Sequence, residues 1–168
     1  IKYANGAYIA RMDGDDISLP LRFEKEVSFL DEHPEYAIVS TPMIHFDENG
    51  DFKSCQGNGE PKVSTFAKGT PFCHAPCMVR KEAYDAVSGY DVDSKKMRVE
   101  DWDLWIRMYS KGYKGYNLQE PMYKMRDDKN AFSRRKFKFR INEAGMTIQA
   151  VKLLKLSPVN YIYVLRPV

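Results

Sequence analysis

Short apolar runs alternate with polar stretches that carry glycine or proline along the whole chain. The first run, Ala7-Tyr8-Ile9-Ala10-Arg11-Met12, lies between Gly6 and the acidic sequence Asp13-Gly14-Asp15-Asp16, which predicts a buried strand ending in an acidic loop. Ser18 suits a helix cap and Pro20 a first helical turn, and Phe23, Val27 and Leu30 then recur at helical spacing until Pro34. Tyr36 to Ser40 predicts a second strand, and Ile44-His45-Phe46 and Asp51-Phe52-Lys53 around Glu48-Asn49-Gly50 predict a hairpin. A strand from Ala75 to Arg80 and a short helix from Lys81 to Val87, ending near Gly89, follow a polar stretch with Gly57, Gly59 and Pro61.

Tyr90 to Val99 is polar and rich in lysine, a candidate mobile loop. Asp101 to Tyr109 predicts a helix whose Trp102, Trp105 and Tyr109 face the core, with Lys111-Gly112 at its end. Tyr113 to Leu118 and Met122 to Met125 read as strands, and Phe137, Ile141, Ala144, Ile148 and Val151 trace a long amphipathic helix. Strands and helices that alternate without an internal repeat or a low-complexity linker predict one α/β layered fold, a mixed sheet flanked by helices.

The 168 residues suffice for one domain with a single core. A net charge of +3 selects no nucleic-acid partner. Three cysteines, Cys55, Cys73 and Cys77, cannot all pair within the chain, which favours a reducing cytoplasm. The chain shows no signal peptide and no apolar run of about 18 residues that could span a bilayer. Ile1 is not an initiator methionine and leads almost directly into a strand, so the chain is expected to be part of a longer protein.

Loops beyond the carboxyl ends of strands hold ligands in open α/β sheets, and Asp13 to Asp16 occupies such a place. Its three carboxylates repel one another, and a divalent cation would offset their charge, with Asp13 and Asp15 as the metal-linked pair. A hard cation there could bridge to a diphosphate and stabilise the charge of a leaving group. The same aspartates could instead form a solvated turn that favours a helix start. They could also serve a haloacid-dehalogenase-type phosphatase, with Asp13 as nucleophile and Asp15 as acid/base.

Glu100-Asp101-Trp102 at a helix start is the second acidic element. The helix dipole keeps a carboxylate there ionised, as a general base must be, and Asp101 is the candidate base for an acceptor hydroxyl. An ordinary acidic helix start, with Trp102 in the core, is the competing reading. Trp102 or Trp105 could stack on a sugar, although aromatics at helical spacing more often belong to a core.

With both acidic elements placed, the sequence resembles the family-2 inverting glycosyltransferases with the GT-A fold, enzymes that extend bacterial capsule, lipopolysaccharide and cell-wall glycans. The resemblance spans roughly Asn5 to Ser133. It rests on the block from Gly6 to Arg22, Phe29-Leu30 before Pro34, Gly89-Tyr90-Asp91, and Glu100-Asp101-Trp102-Asp103-Leu104-Trp105. It implies Asp13 and Asp15 as the Asp-x-Asp that binds Mn2+ or Mg2+ and the diphosphate of a nucleotide diphosphate sugar, and Asp101 as catalytic base. The implied reaction transfers the sugar, with inversion, to a glycan or lipid-linked hydroxyl. Glu100, Trp102 and His74 fall on the acceptor side. Cys73, His74 and Cys77 are too few and too close for a zinc site.

The family's first strand and nucleotide-binding residues should lie before Ile1, so this chain is expected to be the C-terminal part of the catalytic domain and, by itself, to fail to turn over. Many relatives carry a histidine after the last core strand as a further metal ligand, where this chain has Tyr123 to Asp128 and Asp127 is the substitute. The competing function is a non-catalytic fragment or interaction module that retains the fold.

Residues 1–133 are expected to form the catalytic portion and 134–168 a C-terminal helix and tail. Arg134, Arg135, Lys136, Lys138 and Arg140 precede or begin the long helix, and Tyr161 to Leu165 is apolar. Such a segment can lie on an anionic membrane at the inner, cytoplasmic face, or simply present a solvated side. Arg134 and Arg135 are further candidates for contact with the diphosphate.

Overall fold

The computed structural model describes residues 1–127 and 137–166. In chain order its strands are β1 (Tyr8–Ala10), β2 (Ile17–Ser18), β3 (Ile38–Ser40), β4 (Met43–Asp47), β5 (Gly50–Ser54), β6 (Met78–Arg80), β7 (Gly115–Asn117) and β8 (Tyr123–Arg126). The helices are α1 (Arg22–Glu32), α2 (Lys81–Ala86), α3 (Glu100–Ser110) and α4 (Phe137–Leu153), with 3-10 segments at Val63–Ala67, Ser94–Lys96 and Pro158–Leu165. The chain forms two compact units interleaved in sequence. The first comprises Ile1–Pro61, Phe72–Ala83 and Tyr113–Ser133, and the second Lys62–Pro71, Tyr84–Gly112 and Arg134–Val168.

The first unit holds two mixed sheets. In one, β6 lies antiparallel between β1 and β3, and β3 runs parallel to β7. In the other, β8 pairs antiparallel with β2 and parallel with β4, whose hairpin partner β5 is exposed along its length. Gly50, at a φ of 111° that L side chains resist, closes the hairpin expected around Glu48-Asn49-Gly50. Leu30, Val39 and Met78 form the buried centre, with Tyr8, Val27, Phe29, Tyr36 and Leu118 packed against it. Gly57 is required by close approach, since a Cβ there would lie 1.6 Å from the Leu118 carbonyl oxygen.

Helix α1 begins three residues later than a Ser18 cap would give. Ser18 is instead a strand residue, paired with Tyr123 through β2, and the turn into the helix passes through Leu21 at a φ of 66°. The helix buries Arg22, Glu26 and Leu30, while Phe23 is 48% exposed. The expected Phe23-Val27-Leu30 stripe is therefore rotated, because Arg22 turns inward to bind backbone in the acidic loop.

In the second unit α3 buries Trp102, Leu104, Trp105, Ile106 and Met108, so the expected aromatic core face is present. It packs on α4, which also packs on the 3-10 segments Val63–Ala67 and Pro158–Leu165. Trp102 Nε1 donates to the Phe66 carbonyl at 2.9 Å, and the Phe66 and Tyr109 rings lie 4.5 Å apart.

Helix α4 buries Asn142, Met146, Thr147, Ala150 and Val151, whereas the expected face residues Ile141 and Ile148 are exposed. Two polar residues belong on the inner face because each finds a carbonyl there: Asn142 donates to Met97 at 3.0 Å and Thr147 to Ala67 at 3.2 Å. The lysine-rich segment from Tyr90 to Val99 is tied to the helices through Lys96, whose Nζ is 2.7 Å from Asp103. Arg134, Arg135 and Lys136, expected to touch a diphosphate or a membrane, lie outside the described residues. Among the described residues no helix is long and apolar enough to cross a membrane.

Candidate active site

The acidic loop leaves β1 at Arg11 and returns to the second sheet at β2. Four contacts hold it within the first unit. Arg22, wholly buried, donates from Nη2 to the Arg11 carbonyl at 2.9 Å. The Asp13 amide donates to the Tyr123 hydroxyl at 3.0 Å. Asp16 turns inward, and its Oδ1 accepts from the Arg126 amide at 2.8 Å. Arg126 Nε lies 3.4 Å from the Asp15 carbonyl. The backbone of the loop is thus pinned from α1 and β8 while the Asp15 side chain remains exposed.

Charge compensates charge inside this arrangement. Arg11 reaches both oxygens of Asp13, Nη2 at 2.7 Å from Oδ1 and Nη1 at 3.2 Å from Oδ2. Burial pushes the Tyr123 phenol up to about 12, even though the Asp13 amide favours its ionised form, so it stays a neutral hydroxyl beside the Asp16 carboxylate. Asp16 Oδ2 is buried and has no hydrogen-bond partner among the described residues. Behind the loop, Arg22 Nε is 3.2 Å from Glu26 Oε1, and both side chains are fully buried. Burial outweighs the guanidinium and raises the Glu26 carboxyl to about 7.

These residues suit a hard divalent cation. Asp13 and Asp15 offer carboxylate oxygens at a strand end, and a magnesium-type ion needs only one or two such groups when phosphate oxygens and water complete its shell. Among the described residues no three His, Cys, Asp or Glu side chains assemble as a metal-holding group. Asp127, expected to replace a histidine ligand, pairs with His45 at 3.0 Å. Its amide donates to the Phe46 carbonyl at 3.0 Å, one residue beyond the amide that grips Asp16.

The second acidic element belongs to the second unit. Asp101 is half-buried in the first turn of α3, where the ends of backbone N–H groups favour an ionised carboxylate, and Glu100 is exposed beside it. Asp101 and Trp102 line a pocket of about 540 Å3 together with Lys68, Arg98, Arg140 and Glu143. The indole N–H of Trp102 is spent on Phe66 and its ring is nearly buried, so it forms a wall of the pocket rather than an open platform.

Asp103, two residues on, is 1% exposed. Burial would raise its carboxyl, but hydrogen bonds from Lys96, Gln149 and Arg107 together hold it below the usual carboxylate range. His74 lies in the first unit, and its burial, helped by the Arg11 charge, lowers it to about 3, leaving a neutral ring at physiological pH. Cys55, Cys73 and Cys77 are free thiols.

Sequence reasoning missed Arg11, Arg22, Tyr123 and Arg126 as supports of the loop. Arg22 follows Leu21 in a segment that reads as an ordinary helix start. Tyr123 is more than a hundred residues from the amide it serves, so no local pattern could reveal it.

Residues 1–88 match the family model described as Glycosyl transferase family 2. The putative glycosyltransferase EpsE of Bacillus subtilis (strain 168) is 46% identical over 167 residues, which cover 99% of this chain and 60% of that relative. Two solved structures share the fold. S. aureus TarS 1-349 in complex with UDP-GlcNAc has a TM-score of 0.63 at 12% identity, covering 97% of this chain and 47% of that one. The mannosyltransferase PcManGT from Pyrobaculum calidifontis, in complex with GDP-Man and Mn2+, has a TM-score of 0.52 at 16% identity and covers 99% and 45%. The chain thus spans about 60% of that curated relative and under half of each structure, and it adopts part of a GT-A fold. By its matched residues and its likeness to EpsE, the chain belongs to glycosyl transferase family 2.

Proposed function

We propose that the full-length protein transfers a sugar from a nucleotide diphosphate sugar to a hydroxyl of a glycan or lipid-linked acceptor, with inversion, in the synthesis of a bacterial surface polysaccharide. The observation that carries this reading is the acidic loop itself, whose backbone is pinned by Arg22, Tyr123 and Arg126 while Asp15 stays open to solvent. A loop fixed in this way presents carboxylate oxygens without further ordering on binding. Asp13 and Asp15 would hold Mn2+ or Mg2+, and the Mn2+ and GDP-Man bound by PcManGT support that choice. When bound, the cation offsets charge on the departing diphosphate.

In the proposed reaction Asp101 accepts the proton of the acceptor hydroxyl. The hydroxyl oxygen forms its bond to the anomeric carbon as the bond from that carbon to the diphosphate oxygen breaks, and the diphosphate leaves with the electron pair. Attack opposite the leaving group inverts the anomeric centre. We assign Glu100, Trp102 and His74 to contact with the acceptor. Residues 1–133 would supply the catalytic portion and 134–168 an appended helix and tail, with Arg134 and Arg135 contacting the diphosphate or an anionic membrane at its cytoplasmic face.

Calorimetric titration of the full-length protein with Mn2+ and nucleotide sugar tests the donor side. Asp15→Ala should lose binding, and unaltered binding would remove the metal assignment. Asp101→Asn should retain donor affinity and lose transfer, and retained turnover would exclude Asp101 as base.

A further inference from the structure

The pocket beside Asp101 carries more positive charge than its own carboxylates can offset. Lys68, Arg98, Arg140 and Arg166 line it, against Asp101 and Glu143. Among the described residues, Lys68, Arg98 and Arg166 have no carboxylate partner. They are drawn together by other means. Lys68 Nζ stands 5.1 Å over the Tyr163 ring, and the Arg98 guanidinium lies 5.6 Å over Phe139. Arg166 Nη1 donates to the Lys68 carbonyl at 3.2 Å. Unpaired surface cations normally extend into water, apart from one another. Here aromatic faces and a backbone carbonyl hold three of them at one pocket.

The backbone contributes as well. Arg98 has a φ of 70°, a left-handed conformation that a side chain of its kind rarely adopts, and it sits two residues before α3 begins. Such outliers persist where the surrounding structure enforces them, commonly at ligand sites.

We propose that this pocket binds a phosphate or diphosphate group carried by the acceptor, beside the hydroxyl that Asp101 deprotonates. The ligand would be a phosphorylated sugar, free or linked through its diphosphate to a lipid. Several converging cations match the multiple charges and oxygens of a phosphate group better than the single charge of a carboxylate. A volume of about 540 Å3 has room for a diphosphate together with a sugar ring, and Phe139 and Tyr163 supply apolar wall. The acceptor role rests on the sugar-transfer reading, whereas binding of phosphate to these cations can be measured without it.

The test is calorimetry on the full-length protein in EDTA, with inorganic pyrophosphate, farnesyl diphosphate and glucuronic acid as probes. The wild type should bind both diphosphates more tightly than glucuronic acid. The double variant Lys68→Met/Arg98→Gln, both at exposed side chains, should bind them at least tenfold more weakly. Arg98→Gly, which relieves the backbone, provides a second variant that should fold and still lose affinity. Tighter binding of farnesyl diphosphate than of pyrophosphate points to a lipid-linked acceptor, and equal binding to a free sugar phosphate.

The proposal is overturned if the wild type binds no diphosphate, if the variants bind as the wild type does, or if glucuronic acid binds more tightly. It is also overturned if the variants lose affinity for nucleotide sugar titrated with Mn2+, which would assign the cations to the donor. If Asp15→Ala leaves donor binding unaltered while Lys68→Met/Arg98→Gln loses diphosphate, the sugar-transfer reading falls and the phosphate pocket stands.

Discussion

Arg11 grips both oxygens of the Asp13 carboxylate, Nη2 at 2.7 Å from Oδ1 and Nη1 at 3.2 Å from Oδ2. A cation approaching Asp13 therefore competes with a guanidinium already in place. Arg11→Leu should strengthen Mn2+ binding without nucleotide by up to about fivefold, because an ion pair this exposed contributes no more than about 1 kcal/mol. Electron paramagnetic resonance of free Mn2+ measures the change. Weaker binding in the variant would show that Arg11 helps build the cation site rather than guarding it.

The buried Arg22 and Glu26 pair behind the loop predicts a pH dependence of stability. Burial raises Glu26 from 4.5 to about 7, so the folded state holds its proton where the unfolded chain has released it. The stabilisation is complete below about 4.5 and is lost as pH rises through about 7. Linkage puts its size on the order of 3 kcal/mol.

His74 acts in the opposite sense, since its lowered value makes stability fall as pH drops below about 6.5. Comparing Glu26→Gln with the wild type by urea denaturation at pH 5 and pH 8 isolates the glutamate, because His74 is common to both. The variant should gain on the wild type at pH 8. The same difference at both pH values would place the Glu26 carboxyl in its ordinary range.

Asp103 collects Lys96, Arg107 and Gln149 around a nearly inaccessible carboxylate, joining α3, α4 and the segment before α3. Asp103→Asn leaves two cations without their counter-charge and should cost roughly 2–4 kcal/mol. Its cations are partly exposed, which puts the loss toward the lower end. Its depressed carboxyl also stabilises the fold above the ordinary aspartate value and loses that effect as pH falls through the folded value. The variant should therefore be less stable at pH 7 and less sensitive to acid, as thermal unfolding at pH 7 and pH 3 would measure. Unchanged stability would mean that the network contributes only geometry.

The elements that were legible are those whose signals are local. The run into Asp13-Gly14-Asp15-Asp16, the hairpin at Glu48-Asn49-Gly50 and the Trp102-Trp105-Tyr109 face of α3 each lie within one short stretch. Misplaced features depended on distant partners. Ser18 looked like a helix cap because nothing nearby reveals that Tyr123 pairs with it across β2 and β8. The buried stripe of α4 was hidden because Asn142 and Thr147 satisfy carbonyls elsewhere in their unit, which makes a polar inner face stable.

The sequence by itself determined the order of the strands and helices other than β2 and the 3-10 segments, the acidic loop at the end of β1 and the acidic start of α3, because periodicity, turn residues and charge act between neighbours in the chain. Only the tertiary structure decided that Arg11 clasps Asp13, that Arg22 and Tyr123 pin its loop, and that Lys68, Arg98 and Arg166 gather beside Asp101. Hydrogen bonds and charge interactions depend on separation in space, and residues far apart in sequence become neighbours only when the chain folds.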